Sequence, residues 1–163
     1  MVDGSTLRLA DTQDNETAFS RPGSGRGRAG YPQLRLVGLM VLRSHLLAGL
    51  VAGRCTESEL TLAEPLWDSL PDASLTVVDR GFLCYPLLHR IQTHGRQRHW
   101  LTRAKANLKW RVVKRLGPND QLVELPVHRN ARKSHPDLPE TLQARAILYQ
   151  RRGFRPQTLL TSL

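Results

Sequence analysis

Short blocks of apolar positions separated by polar runs predict a β-rich chain with helices between the strands. Leu7 and Leu9 alternate with Thr6 and Arg8, which predicts a first strand over 2–9. Residues 10–30 have no apolar period and read as a long loop, a length usual only for functional or mobile connections. Its Arg21, Arg26 and Arg28 form a basic segment that could touch phosphate or simply be solvated. Residues 34–42 and 46–52 are almost wholly apolar and predict two strands joined at Arg43-Ser44-His45, although a buried helix would share the pattern. Thr56 and Glu59 have capping-box spacing, and Leu60, Ala63, Trp67 and Leu70 follow at helical spacing. The predicted helix is kinked at Pro65, which costs about 3 kcal/mol in a regular helix interior, and is ended by Pro71 and Asp72.

The run Leu75-Thr76-Val77-Val78 suits a buried strand, because Val and Thr are stiff at χ1 and pack well on a pleated surface. It ends abruptly in Asp79, and Gly81 lets the chain turn. An apolar stripe of Leu87, Leu88 and Ile91 predicts a helix over 84–93, closed by Gly95. Further strands are expected at 100–102, at 108–116 and 121–127 around the turn Gly117-Pro118-Asn119-Asp120, at 143–149 and at 158–163. This order is that of an α/β or α+β domain with an antiparallel insertion after Thr102.

Composition adds one unusual feature. A hydrophobic content of 40% and 23% charged residues are ordinary for a folded domain of 163 residues, but a net charge of +10 is not. Residues 1–79 carry seven Lys/Arg and ten Asp/Glu, whereas residues 80–163 carry seventeen and four. That excess points to a polyanionic partner, because uncompensated like charge destabilises a compact state. Cys55 and Cys84 have no CxxC spacing and suggest no zinc site; both read as reduced. No run approaches a membrane span and no signal-peptide pattern opens the chain, so a cytoplasmic protein with no membrane partner is expected. Three Trp, three Tyr and three Phe are few, and no stacking platform for RNA is evident.

A second aspartate resembles Asp79 in its setting, Asp3 in Val2-Asp3-Gly4-Ser5-Thr6. Paired carboxylates on neighbouring strand ends are what two-metal phosphoryl transfer needs, since hard Mg²⁺ takes oxygen ligands. Aspartate beside a glycine turn is also common for structural reasons. With Asp11 and Asn15, Gly30-Tyr31-Pro32-Gln33-Leu34-Arg35-Leu36-Val37, Val78-Asp79-Arg80-Gly81-Phe82 and Trp100-Leu101-Thr102-Arg103-Ala104-Lys105-Ala106-Asn107, the chain resembles bacterial DDE transposases of the insertion-sequence-four type over essentially its whole length.

The resemblance implies an RNase-H-like mixed α/β sheet with flanking helices and a β-rich insertion. Its first part would span 1–105, the insertion 106–157, and a core strand would start at 158–163. It implies Asp3 and Asp79 as catalytic residues and as ligands of Mg²⁺ or Mn²⁺, on the first and fourth strands. The implied partner is double-stranded DNA at element ends, cut and joined by metal-dependent attack on a phosphodiester in the bacterial nucleoid. A homodimer is one assembly open to the intact enzyme. DNA contacts are expected among Arg80, Arg96, Arg98, Arg103, Lys105, Lys109, Arg111 and Lys133, and on Arg151 and Arg152. Arg80 is equally suited to contact phosphate or to pair with a carboxylate.

The family's third acid is a Glu on a helix with a Tyr-x-x-Arg-x-x-x-Glu pattern. Tyr149 and Arg152 match its opening, but Pro156 stands at the Glu position. Glu124 and Glu140 are expected on the surface of the insertion instead. The expectation is therefore a transposase truncated at both ends and inactive alone. The alternatives are a non-catalytic DNA-binding or inhibitory remnant and a degraded frame that does not fold.

Overall fold

The computed structural model describes residues 1–23 and 30–163, so the basic positions Arg26 and Arg28 lie outside the described residues. The chain forms two compact units, Met1–Leu70 and Pro71–Leu163.

In the first unit the apolar blocks become an antiparallel meander of β1 (Val2–Arg8), β2 (Gln33–Val41) and β3 (Leu46–Arg54). Register sets Val2 opposite Leu39 and Gly4 opposite Val37, so Val2, Val37 and Leu39 share one buried face. A short helix, α2 (Glu59–Leu62), and a 3-10 segment, Glu64–Ser69, cover that face with Leu62, Leu66 and Trp67. They come so close that a Cβ at Gly49 would stand 2.8 Å from Leu66 Cδ2. The predicted kink at Pro65 appears as this change of helix type. Pro65 opens the 3-10 segment, where its missing N–H breaks no regular α-turn. The cap differs from expectation: Ser58, not Thr56, accepts from Thr61 N at 3.1 Å, and the Glu59 carboxyl lies against Gly4.

The expected loop over 10–30 contains a helix, α1 (Gln13–Phe19). None of its residues is buried, so no apolar stripe announced it. It is capped by Thr12, and Arg54 donates to the carbonyls of Ala18 and Thr17, both at 3.2 Å. Arg21 pairs with Glu16 and Asp11, which raises its pKa, the hydrogen bond to Glu16 contributing most. His45 sits in the hairpin turn at φ 57°, a structural role.

The second unit is built on one six-stranded sheet. Its strands are β4 (Ser74–Val77), β5 (Arg98–Arg103), β6 (Arg111–Gly117), β7 (Asp120–Pro126), β8 (Thr141–Tyr149) and β9 (Gln157–Thr161). Their order across the sheet is β4-β5-β9-β8-β7-β6. Only β4 and β5 are parallel, joined through α3 (Tyr85–Thr93), whose Leu87, Leu88 and Ile91 are buried. Trp100, fully buried on β5, donates Nε1–H to Gln92 of α3 at 3.1 Å. A further short helix, α4 (Arg129–Ser134), lies between β7 and β8 in a stretch that carried no helical pattern. Gly95 does not cap α3. His94 is the cap residue, and Gln97 takes the left-handed conformation at φ 53°. Among the described residues no helix is long and apolar enough to cross a membrane. The architecture is mixed α/β.

A candidate nucleic-acid interface beside Asp79

Asp79 is placed by the point at which the parallel ladder runs out. The last backbone bond joins Val78 N to Leu101 O at 3.0 Å. One residue on, the Asp79 carbonyl accepts from the Thr102 hydroxyl at 3.1 Å. The carboxylate then caps a 3-10 turn, Arg80–Phe82: Oδ1 accepts from Gly81 N at 2.7 Å and from Phe82 N at 3.2 Å. Phe82 is fully buried and anchors the turn. Gly81 has no left-handed backbone, so it is not needed for the sharp turn expected of it. It is needed for space, because a Cβ there would stand 2.9 Å from Asp79 Oδ1. Oδ2 takes neither cap bond, and the side chain is exposed and in no ion pair among the described residues.

The residue after Asp79 opens onto a cleft of about 490 Å³. Arg80, Arg103, Lys105 and Arg155 line it with Leu108 and Trp110, and no lining residue is acidic. Lys105 Nζ is steadied by Leu83 O at 3.2 Å, and Arg103 by Gln157 Oε1 at 3.0 Å. Neither Arg80 nor Arg155 has an ion pair among the described residues. Of the two roles open to Arg80, carboxylate pairing is therefore not the one taken. Four cations with no ion-pair partner among the described residues, gathered in a concave surface, focus a positive potential. A second hollow of about 210 Å³ shares Arg155 and Gln157 with the cleft and adds Tyr149, Arg151 and Phe154. There Arg151 lies over the Phe154 ring, 5.7 Å from its centroid, and Phe154 is 65% exposed.

The other expected cations are dispersed. Arg98 is paired with Asp72 at 2.9 Å, and Arg96 offers the same carboxylate its backbone N–H at 3.0 Å. These contacts hold the Asp72 pKa below its ordinary value, the Arg96 N–H first. Arg111 pairs with Glu124, which is half-buried instead of sitting on the surface as expected, while Glu140 is exposed and paired with Arg132. Lys109 and Arg111 line a separate hollow, and Lys133 lies in the last turn of α4. Sequence reasoning missed Arg155 and the exposed aromatics. Their only signal was the run Tyr149-Gln150-Arg151-Arg152-Gly153-Phe154-Arg155, where two aromatics flank cations.

Asp3 belongs to the other unit. It lies exposed on β1 opposite Gly38, and its Oδ1 accepts from Gly4 N at 3.0 Å. Asp3 and Asp79 are both exposed carboxylates with no ion pair among the described residues, and Mg²⁺ takes carboxylate oxygens one or two at a time, so the donor chemistry fits that ion. Among the described residues, no group of three or more His, Cys, Asp or Glu side chains is arranged to hold a metal.

The transposase DDE domain profile matches residues 1–154, and the chain belongs to that family. It is similar to the transposase InsG for insertion sequence element IS4 of Escherichia coli K12, with 35% identity over 162 residues. That match covers 99% of this chain and 36% of the relative. It is also similar to the protein named "Putative transposase InsZ" of the same strain, 34% identical over 113 residues, covering 69% of this chain and 38% of the relative. The chain thus spans little more than a third of the length of these relatives.

Proposed function

We propose that this chain is the part of a DDE transposase that holds a DNA strand beside divalent-cation ligands, within an RNase-H-like core bearing the β-rich segment 106–157. The observation that carries the reading is the cleft: four cations, no carboxylate, and a lining that begins at the residue after Asp79. Arg80, Arg103, Lys105 and Arg155 would neutralise successive backbone phosphates, which gives affinity without sequence reading. Asp3 and Asp79 would each contribute carboxylate oxygen to Mg²⁺ or Mn²⁺. When bound, such an ion supplies Lewis-acid polarisation of a phosphoryl oxygen. The chain's own contribution is to fix Asp79 between Thr102 and the Gly81 and Phe82 amides, with Oδ2 left open. The β1–β2–β3 meander and the parallel β4–α3–β5 unit are consistent with the RNase-H-like assignment. A second reading, DNA binding without chemistry, rests on the same cleft, because phosphate neutralisation needs no metal.

Duplex DNA binding measured across salt concentrations, together with Mn²⁺-dependent nicking, tests both. Binding should weaken steeply with salt, and Arg103→Ala with Arg155→Ala should flatten the log–log slope by about 1.8, roughly 0.9 for each phosphate left without its cation. Nicking that disappears in Asp3→Ala and in Asp79→Ala supports the catalytic reading. Binding that is retained in both variants, with no nicking by the unaltered chain, supports the second. No salt-dependent binding at all removes both.

A further inference from the structure

We infer that Thr102 is a positioning residue for Asp79, an inference that rests on the reading of Asp79 as a divalent-cation ligand. Thr102 is 2% exposed, one of three buried polar residues among those described, with Thr76 and Thr161. A hydroxyl so deeply buried needs a partner. Thr161 donates its hydroxyl to the carbonyl of Trp100 at 2.7 Å, inside the sheet. Thr102 instead donates beyond the end of β4, to the carbonyl of Asp79, at 3.1 Å. Among the described residues no backbone N–H of β5 is bonded to that carbonyl. The hydroxyl therefore ties β5 by a side-chain bond to the first residue beyond the bonds of β4.

Thr102 is well placed for this. Its backbone is held opposite Leu160 of β9, which is itself fully buried, so the hydroxyl starts from a fixed point. Asp79 is then clamped twice, at its carbonyl by Thr102 and at Oδ1 by the amides of Gly81 and Phe82. Two clamps on opposite sides of Cα fix the direction of Oδ2. Removing the first leaves the backbone between Val78, still bonded to Leu101, and the cap with less to hold it. Groups that orient a metal ligand in this way typically change metal affinity about 10- to 100-fold when removed.

The test uses the full chain labelled with ¹⁵N and titrated with Mn²⁺, following the Gly81 and Phe82 amide signals. Both amides bond Asp79 Oδ1, so an ion at Asp79 broadens them. Thr102→Val should require about tenfold more Mn²⁺ for half-broadening, and Thr102→Ser, which keeps the hydroxyl, should stay within about twofold of the unaltered chain. Broadening of Thr102→Val at the unaltered concentration, with none in Asp79→Ala, overturns the positioning role and leaves the cation reading standing. Broadening that persists in Asp79→Ala, or that never occurs, overturns both. Thr102→Ala is the second variant. Loss of dispersed signals in both Thr102→Val and Thr102→Ala would make Thr102 a core residue only and overturn the inference.

Discussion

Replacing Gly81 by alanine tests the local geometry of Asp79 without invoking any ion. The added methyl would stand 2.9 Å from Oδ1, 3.6 Å from Oδ2 and 3.7 Å from Cγ of Asp79. Ordinary contact begins near 3.4 Å, so Oδ1 must retreat by about 0.5 Å. The 2.7 Å bond to Gly81 N survives that retreat, whereas the 3.2 Å bond to Phe82 N does not. Loss of a cap bond costs about 1 kcal/mol. Alanine returns about 0.4–1 kcal/mol by restricting the unfolded chain, since residue 81 is not left-handed. Global stability should therefore barely change, while the Phe82 amide exchanges about fivefold faster, the factor that ~1 kcal/mol represents. The assay is amide hydrogen exchange by NMR beside a urea titration. Unchanged exchange at Phe82 would refute the argument. So would a stability loss above about 2 kcal/mol, which would place the clash on something less yielding than a carboxylate oxygen.

Two predictions concern the entrance to β4. The lowered pKa of Asp72 means that the unfolded chain binds the proton first as pH falls, so its contribution is present above the unfolded value near 3.8 and lost below it. Urea midpoints at pH 5 and pH 3 should therefore differ less in Asp72→Asn than in the unaltered chain; an equal drop in both would show that Asp72 is not the linked group. Ala73 is left-handed at φ 50°, and Ala73→Gly should raise stability by about 0.5 kcal/mol, the relief of about 1–2 kcal/mol less the added freedom of glycine. A lower urea midpoint in that variant would contradict this.

What could be read from the sequence was what a repeating pattern encodes. The β2–β3 hairpin and the strand before Asp79 announced themselves through unbroken apolar runs, and α3 through Leu87, Leu88 and Ile91. The helix α1 was hidden because an arginine 36 residues away, not an apolar face, holds its carbonyls. Thr56 and Ser58 both carry a hydroxyl suited to a cap, and it is Ser58 that takes the Thr61 amide. Charge gave the sign of the downstream half but not its distribution. Arg98 and Arg111 meet carboxylates distant in sequence, while Arg155 joins Arg80 across 75 residues because β9 returns beside β5.

That return path has a consequence for synthesis. The final described strand fills a central place in its sheet, between β5 and β8, so neither flank has its neighbour until β9 emerges. Thr161 bonds Trp100 across 61 residues, a stretch that takes a ribosome roughly 3–12 s. The β4–β5 edge is open through that interval, and the edge of β6–β7–β8 joins it once β8 is made, each carrying backbone donors and acceptors. The nascent second unit is thus two half-sheets waiting for a shared keystone, and any delay after residue 149 prolongs the time in which another strand could take its place.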